Sequence, residues 1–335
     1  MGAQIGWGIL STGRIAATFA ASVLRSKTGR LAAVGSRSIE KAWDFAQRHQ
    51  IPKAYGSYGA LLADPEVEAV YIATPHPSHA EWCIKSAQAK KHILCEKPLT
   101  MDLSGTRRVI EAARKNRVFL LEAFAYRFHP QTAKLLRLIR KGAIGEVRLI
   151  QGTFFFNAPF DPKNRIFNKK LGGGGILDIG CYPVSMARLI AGATQGKPYL
   201  DPVEVKGAGH VGRSGVDEWA VALLKFPGGI LAEVSCGVRM EWETLLRIHG
   251  SKGTLTVTSP WACGLKAGKT QILLQKNGRV QKMEVKSDRG LYVYEADALA
   301  ETVKRGKAES PAMSLADSLG NARVLDLWLQ GVGYR

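Results

Sequence analysis

Between residues 4 and 121, short apolar runs alternate regularly with segments of helical pattern. The apolar runs, which we predict to be strands, lie at 4–10, 31–34, 67–74, 92–95 and 118–121. The helical patterns lie between them at 15–24, 39–49, 78–89 and 102–115. Strands that alternate with helices of this length form parallel sheets, because each helix carries the chain back across one face of the sheet. This part of the chain is therefore predicted to be an α/β, doubly wound parallel sheet.

A different pattern begins at about residue 145. The predicted strands there lie at 147–156, 203–211, 219–226, 230–238, 244–248, 254–257 and 271–274. Several are joined by hairpin turns such as Asn277-Gly278, which favours antiparallel pairing. A helix is predicted at about 176–191, and a helical region from Tyr294 to about Leu329 closes the chain. We expect an α/β domain over residues 1–125 and an α+β domain with a large, mostly antiparallel open sheet over residues 126–335.

The chain carries a formal net charge of +19, from 47 basic and 28 acidic residues. Such a charge attracts anionic ligands and can cause non-specific nucleic-acid binding. The basic residues are scattered, however, in runs no longer than pairs such as Lys90-Lys91, and no known nucleic-acid motif accompanies them. We interpret the charge as a property of the solvated surface and expect no specific nucleic-acid partner.

The cysteine pattern and the start of the chain indicate a cytoplasmic protein. Five widely spaced cysteines without a Cys-x-x-Cys pair argue against a disulfide framework and against a zinc site. No export signal precedes the first strand, and no apolar run approaches the roughly 18 residues of a membrane span. We therefore expect neither a metal site nor a membrane association.

The turn after the first strand resembles a dinucleotide-binding fingerprint of the Rossmann type. Gly13 lets the backbone approach a pyrophosphate, and Ala16 is small enough for close packing of helix on strand. Ser11 replaces the usual first glycine. The start of the following helix offers free N–H groups and a partial positive charge to phosphates. The predicted cofactor contacts are Ser11, Thr12, Gly13, Arg14 and Ile15; the alternative is a tight turn that binds nothing.

The end of the second strand indicates which dinucleotide is bound. NAD sites place an acidic residue about 20 positions after the fingerprint, where it holds the ribose hydroxyls. This chain has Ser36, Arg37 and Ser38 there, followed by Lys41. Arg37 can pair with a 2′-phosphate and stack on adenine, and the serines can donate hydrogen bonds. We predict NADP rather than NAD, the alternative being that Arg37 is an ordinary surface residue.

The segment Cys95-Glu96-Lys97-Pro98 ends the fourth predicted strand. Proline restricts its own φ and holds the preceding residue in an extended conformation. Lys97 would therefore be held where an open α/β sheet presents groups to a cofactor. The alternative is a strand-end lysine in a surface ion pair with Glu96.

Five segments, in order, carry a resemblance to a known family. They are GILSTGRIA at 8–16, AVYIATPHPSH at 69–79, CEKPL at 95–99, EAFAYRFHP at 122–130 and GGGGILDIGCYPV at 172–184. Together they resemble the glucose–fructose oxidoreductase, inositol dehydrogenase and rhizopine catabolism protein family over essentially the whole chain. Within it, the chain is most similar to the branch that holds dimeric dihydrodiol dehydrogenase, NADP-dependent xylose or glucose 1-dehydrogenases and glucose–fructose oxidoreductase.

The resemblance implies three catalytic residues. Lys97 would lie beside the nicotinamide and the reacting carbinol, and Tyr182 would accept or donate the hydroxyl proton. Asp178, four residues before Tyr182 and so on the same helical face, would orient the substrate or Lys97. A tyrosine of ordinary pKa ~10 needs a nearby cation to act as a base, and Lys97 supplies one. The alternatives are a Tyr182 packed in the core and an Asp178 that only stabilises a helix start.

Further contacts are implied less directly. The Thr74-Pro75 turn would cover the cofactor, and Glu96 would lie beside it with Lys97. His76 and His79 would line the nicotinamide ribose or pack locally. The candidate sugar contacts are Arg127, His129 and Arg165, for which surface or structural roles are the alternative.

We therefore expect an NADP-dependent oxidoreductase acting on a secondary alcohol or hemiacetal carbon, with oxidation of an aldose at C1 as the leading case. The alternatives are oxidation of a trans-dihydrodiol, reduction of a keto-sugar, glucose–fructose oxidoreductase activity, and a non-catalytic NADP-binding regulator. We also expect a homodimer or larger oligomer. Its interface would be an exposed sheet face that carries Val221, Leu223, Ile230 and Ala232.

Overall fold

The computed structural model describes residues 4–334, which divide into two compact units. The first unit comprises the residues up to Thr100 together with Ser104–Phe128 and Arg289–Ser318. The second comprises Met101–Leu103, His129–Asp288 and the residues from Leu319 onward. The segment Arg289–Ser318 thus belongs to the first unit although it lies far along the chain, a grouping that no single cut of the sequence reproduces.

The first unit is built on a six-stranded parallel sheet. Its strands are β1 (Ile5–Leu10), β2 (Gly29–Gly35), β3 (Lys53–Tyr55), β4 (Ala69–Ile72), β5 (His92–Glu96) and β6 (Leu120–Ala123). Their order is β3-β2-β1-β4-β5-β6. The predicted doubly wound sheet is confirmed, and its order reverses between β1 and β4, beside which ligands bind in folds of this kind. Strand β3 was not predicted, because three half-buried residues at a sheet edge show no periodicity.

The helices of this unit are α1 (Arg14–Val23), α2 (Ile39–His49), α3 (Tyr58–Leu62), α4 (His79–Gln88), α5 (Leu103–Asn116) and α8 (Leu291–Lys304). Three aromatic rings attach α1 to the sheet. Trp7 of β1 meets Phe19 edge to face at 5.1 Å, and Phe19 stacks on Tyr71 of β4 at 3.9 Å. This packing holds the start of α1 directly after β1.

The second unit contains an eight-stranded sheet. Its strands are β7 (Val147–Phe155), β8 (Glu204–Val211), β9 (Asp217–Lys225), β10 (Leu231–Gly237), β11 (Leu246–Gly250), β12 (Gly253–Val257), β13 (Gly268–Lys276) and β14 (Arg279–Ser287). Their order is β14-β13-β12-β11-β7-β10-β9-β8, with β7 and β10 parallel and the other neighbouring pairs antiparallel. The predicted mostly antiparallel sheet is confirmed. Strand β14 was missed, although the Asn277-Gly278 turn that precedes it was expected.

The helices of this unit are α6 (Pro130–Arg140), α7 (Cys181–Thr194) and α9 (Leu315–Gly331), the last of which begins within the first unit. Helix α7 packs on β7, where Gly152 lies against Pro183, and every residue from Pro183 to Ala193 is buried. The segment Lys169–Thr194 has the length and apolarity of a membrane-spanning helix, but 94% of its apolar window is buried inside the protein. Such burial is typical of a core helix.

One face of the large sheet presents apolar side chains to solvent. Along β9, exposed and buried residues alternate, and the side chains of Trp219, Val221 and Leu223 are 39%, 38% and 57% exposed. On β10, Leu231 is also exposed. The expectation for Ile230 and Ala232 was wrong: both are buried, since Ala232 pairs with the inward-facing Leu224. The register of the hairpin places Leu231 on the exposed face instead.

Candidate active site

The turn between β1 and α1 has the conformation of a nucleotide-binding loop. Ser11 adopts φ 124°, a value that glycine tolerates and other residues rarely adopt. Its Oγ accepts a hydrogen bond from the Gly13 N–H at 3.2 Å. Gly13 caps α1 without a side-chain hydrogen bond, and Gly13 and Arg14 are exposed, while Thr12 and Ile15 are half-buried. The N-terminus of α1 can therefore present its first N–H groups to a phosphate.

The end of β2 presents a cation beside a helix cap. Arg37 and Lys41 are exposed, and Ser36 is buried. The hydroxyl of Ser38 accepts the Lys41 N–H at 3.2 Å, which makes Ser38 the N-cap of α2. The Ser38 hydroxyl also donates to Glu40 at 2.6 Å. These bonds hold the serine side chain at the helix start, and Arg37 is the first exposed charge after β2.

The turn that follows β4 is tied to the turn that follows β5 through His79. One ring nitrogen of His79 lies 2.8 Å from the Thr74 carbonyl oxygen and the other lies 3.0 Å from that of Pro98. The ring is fully buried, which lowers the pKa of His79. Local packing, one of the two interpretations of this residue, describes His79 better than a ribose contact does. His76 is also buried, and its ring meets that of His79 at 5.6 Å, while Pro75 is exposed.

Lys97 is half-buried between two anchored neighbours. Before it, Glu96 at the end of β5 is buried and accepts a hydrogen bond from the Tyr71 hydroxyl. After it, Pro98 follows in a cis peptide bond, and the Leu99 N–H donates to Glu122 Oε1 at 2.9 Å. The turn is therefore held from β4, β6 and α4. Glu122 lies within a segment that carried the family resemblance, but nothing in its spacing indicated this role.

Burial raises the pKa of Glu122 to about 7, against hydrogen bonds from Ser318 and Leu99 that favour the charged form. Because the pKa of this carboxyl is higher in the folded than in the unfolded state, the folded protein loses stability as the pH rises from 4.5, the ordinary pKa of a glutamate, towards 7. Glu122→Gln keeps an acceptor for Leu99 but cannot ionise. Between pH 5 and pH 8, the free energy of unfolding of the unmodified protein should fall by about 2 kcal/mol more than that of the variant.

Urea denaturation across that pH range measures the difference. Glu81→Gln is the control, because Glu81 is exposed and its carboxylate pairs with Lys85 at 2.6 Å. An identical pH dependence for Glu122→Gln and the unmodified protein would show that Glu122 is already ionised at little cost.

In the second unit, Asp178 and Tyr182 lie at the start of the buried helix α7. Asp178 is within a π-helical turn, Ile176–Gly180, that runs directly into α7. Asp178 is nearly buried and forms an ion pair with Arg165 at 2.9 Å, and Tyr182 is half-buried. The sequence indicated Arg165 as a sugar contact, with a surface or structural role as the alternative, but did not indicate its pairing with Asp178. The guanidinium of Arg165 restrains the carboxylate of Asp178, which lies four residues before Tyr182 in the sequence.

Aromatic side chains surround the ring of Tyr182. Phe154 of β7 lies edge to face with it at 5.3 Å, and Trp261 lies 5.9 Å away. Phe154 and Trp261 are near-parallel, and the Trp261 indole donates to the Thr153 carbonyl at 2.9 Å. Neither aromatic residue was predicted, since Trp261 comes from a loop 79 positions after Tyr182 in the sequence. They restrict the directions that the tyrosine hydroxyl can take.

The other two candidate sugar contacts, Arg127 and His129, form hydrogen bonds with other groups of the protein. Arg127 is buried, pairs with Asp317 at 2.6 Å and donates to the Ala312 carbonyl at 3.0 Å. His129 is buried and caps α6, where its Nδ1 accepts the Gln131 N–H at 3.1 Å. These contacts favour the structural alternative for both residues.

Lys97 belongs to the first unit, and Asp178 and Tyr182 belong to the second. Their meeting on one substrate therefore remains a prediction from the sequence. Within residues 4–334, no group of three or more His, Cys, Asp or Glu side chains is arranged to hold a metal ion.

Comparisons with known proteins identify the family of the chain. The chain matches the model of the oxidoreductase family with an NAD-binding Rossmann fold over residues 5–124, and that of the GFO/IDH/MocA C-terminal domain over residues 132–256. Trans-1,2-dihydrobenzene-1,2-diol dehydrogenase of Xenopus laevis is 36% identical, with 98% of each chain covered. The human enzyme of that name is 31% identical, with 98% of this chain and 96% of the human one covered.

Two solved structures are also similar over nearly their whole length. The 3-ketoreductase KijD10 from Actinomadura kijaniata, in complex with NADP and TDP-benzene, is 26% identical with a TM-score of 0.87, and 98% of each chain is covered. Aldose-aldose oxidoreductase from Caulobacter crescentus, complexed with glycerol, is also 26% identical with a TM-score of 0.87, covering 99% of this chain and 98% of that one. The chain is therefore an oxidoreductase that belongs to the GFO/IDH/MocA family, as the motifs in its sequence predicted.

Proposed function

We propose that this protein is an NADP-dependent oxidoreductase that transfers hydride between nicotinamide and a carbinol carbon of a sugar or a sugar-like diol. The main support for the proposal is that the side chains expected to react, Lys97 and Tyr182, lie in segments restrained by hydrogen bonds and an ion pair. Lys97 is half-buried at the end of a buried strand, with Glu96 and Leu99 on either side bonded to the protein. Tyr182 is half-buried four residues after Asp178, whose carboxylate is held by Arg165. Such restraint is what positions groups for proton transfer.

The residues of the first unit fit a dinucleotide with a 2′-phosphate. The start of α1 and the Ser11 turn would hold the pyrophosphate, since Gly13 and Arg14 are exposed there and Gly13 has no side-chain cap. Arg37 would pair with the 2′-phosphate at the position where an NAD site has an acid. NADP, when bound, supplies the nicotinamide that accepts or returns the hydride.

The chain's own residues handle the proton. Tyr182 would take the hydroxyl proton of the substrate as its C–H bond breaks, and the ammonium of Lys97 would lower the pKa of the tyrosine hydroxyl. In the reductive direction the same ammonium would stabilise the developing oxyanion. The Arg165-held carboxylate of Asp178 would accept a hydrogen bond from a neighbouring substrate hydroxyl.

The substrate class has two leading candidates. Oxidation of an aldose at C1 is the first, because a ring sugar offers a hydroxyl beside the reacting carbon for Asp178. Oxidation of a trans-dihydrodiol is the second, and the names of the curated relatives and the aromatic rings beside Tyr182 favour it. Reduction of a keto-sugar is the reverse chemistry on the same groups.

A panel of aldoses, polyols, inositols and trans-diols, assayed by NADPH absorbance at 340 nm, distinguishes these candidates. We expect turnover with aldoses or with trans-diols and a much lower rate with NAD in place of NADP. Tight NADP binding without turnover of any of these compounds, in either direction, would instead indicate the non-catalytic regulator. A cytoplasmic location remains a prediction.

We also propose that the exposed face of the large sheet joins two copies of the chain. Leu223→Lys places a charge among the apolar side chains of Trp219, Val221 and Leu231. It should convert a dimer to a monomer at micromolar concentration, because burying an unpaired ammonium costs several kcal/mol. Light scattering measures the mass, and Leu24→Lys, at an exposed leucine of the first unit, is the control. A monomeric unmodified protein would contradict the prediction.

A further inference from the structure

The glycine-rich segment before the π-helical turn is folded around one buried carboxylate. Asp217, the first residue of β9, is fully buried. Its Oδ2 accepts a hydrogen bond from the Ile176 N–H at 2.7 Å. Ile176 is the first residue of the π-helical turn that contains Asp178 and leads to Tyr182. Asp217 therefore supplies, from a distant strand, the acceptor that a helix start requires.

Gly174 is necessary for this approach. Its φ is +104°, and a Cβ at this position would lie 2.1 Å from Asp217 Oδ1. Gly175 is also close, since a Cβ there would lie 3.3 Å from Oδ2. At these two positions the close partner of the glycine backbone is thus a carboxylate of the same chain.

The charge of Asp217 depends on its buried surroundings. Burial raises the pKa of Asp217 to about 7, while backbone hydrogen bonds from Ile176 and Gly175 favour the ionised form. The negative charge of Asp178 raises this pKa further, and Arg165 of the same cluster pairs with Asp178 rather than with Asp217.

Other ionisable groups pack around it. The thiol of Cys236 on β10 lies close to Gly175 and Gly180, and burial raises the pKa of this thiol well above the ordinary value, so that it is neutral. Cys181, at the start of α7, is a further buried thiol in this cluster. Glu218, the next residue of β9, forms an ion pair with Arg239, whose guanidinium lies 3.7 Å from the carboxylate.

We propose that Asp217 is a positioning residue, whose ionised carboxylate fixes the first turn of the segment that carries Asp178 and Tyr182. The inference rests on the proposed function, because it assigns the purpose of this turn to the placement of those two side chains. A hydrogen bond to a charged acceptor is shorter and stronger than one to a neutral acceptor. Loss of the charge therefore loosens the turn without unfolding it.

Asp217→Asn tests the proposal, because it keeps the shape and one acceptor but removes the charge. At pH 8.5 we expect its kcat to be about 10-fold below that of the unmodified enzyme, with the Kd for NADP unchanged. At pH 5.5 the two enzymes should differ less than 2-fold, since Asp217 is then protonated and the side chain at this position is neutral in both enzymes. Any titration of Tyr182 affects both enzymes alike and cancels in this ratio.

Two further variants distinguish a specific positioning role of Asp217 from a non-specific disturbance of the fold around it. Gly174→Ala, which displaces the carboxylate, should lower kcat at pH 8.5 by a similar factor. Glu218→Gln, which neutralises the adjacent buried carboxylate, should leave kcat unchanged at both pH values. A kcat ratio for Asp217→Asn that is the same at both pH values, or a loss equalled by Glu218→Gln, would overturn the proposal.

A readout independent of turnover keeps the proposal testable if no substrate in the panel reacts. Hydrogen exchange of the peptide that spans residues 172–182, followed by mass spectrometry at pH 8, should be at least 5-fold faster in Asp217→Asn than in the unmodified protein. Glu218→Gln should show no such increase. Equal exchange in all three proteins would contradict the role of Asp217, whereas faster exchange without turnover would contradict only the proposed function.

Discussion

Tyr182→Phe is expected to lower kcat by about 10²–10⁴, the range typical of a lost general acid–base group, with little change in NADP affinity. The phenyl ring retains the packing against Phe154 and Trp261, so that only the hydroxyl is lost. Lys97→Met should be as damaging, because it removes both the cation that activates the tyrosine and the partner of the developing oxyanion. Steady-state kinetics with the best substrate of the panel, together with fluorescence titration of NADP, measure both effects.

The double variant should be little worse than either single one, since groups that act as a unit are not additive. The rate of the unmodified enzyme should rise with pH through an apparent pKa below that of free tyrosine, and this value belongs to the coupled pair. Tyr199→Phe is the matched control: its ring stacks with the buried Arg188, and its loss of a hydroxyl should not affect kcat. A Tyr182→Phe enzyme that retains most of its turnover would leave Tyr182 as a packing residue.

Arg37→Asp is expected to weaken NADP binding by about 10–150-fold, which corresponds to 1.5–3 kcal/mol for one charge-assisted contact. NAD binding should improve in the same variant, because an acid at this position can hold the ribose hydroxyls. Isothermal titration of both cofactors measures the shift. The control is Arg25→Asp, the same change of charge at an exposed site beyond the C-terminal end of α1. Equal affinities of the unmodified protein for NADP and NAD would contradict the prediction.

Much of the first unit could be predicted because its signals are local. Each central strand is a continuous apolar run, and β1 is buried along its whole length. The periodicity of each helix is likewise contained within one segment of the chain. The restraint on Lys97 followed from its neighbour Pro98, and the nucleotide turn from the few residues around Gly13. Such patterns act over one or two helical turns and need no knowledge of what packs against them.

The exposed sheet face shows where local pattern was insufficient. Alternation along β9 correctly separated Val221 and Leu223 from their buried neighbours. The face of β10 depended on the register across the hairpin, in which Leu231 pairs with Lys225. A shift of one residue moves every side chain of a strand to the other face. The prediction for Ile230 and Ala232 failed for this reason.

The sequence by itself determined the class of fold, the family and the positions of Lys97, Asp178 and Tyr182 along their elements. Only the tertiary structure decided which groups hold them. Asp217 accepts a hydrogen bond from the Ile176 N–H, which lies 41 residues away in the sequence. Glu122 accepts one from the Leu99 N–H, which lies 23 residues away. Partners of this kind are selected by the order and register of strands, which many distant contacts set together. A local pattern can show that a residue is restrained or buried, but it does not specify which distant charge lies beside it.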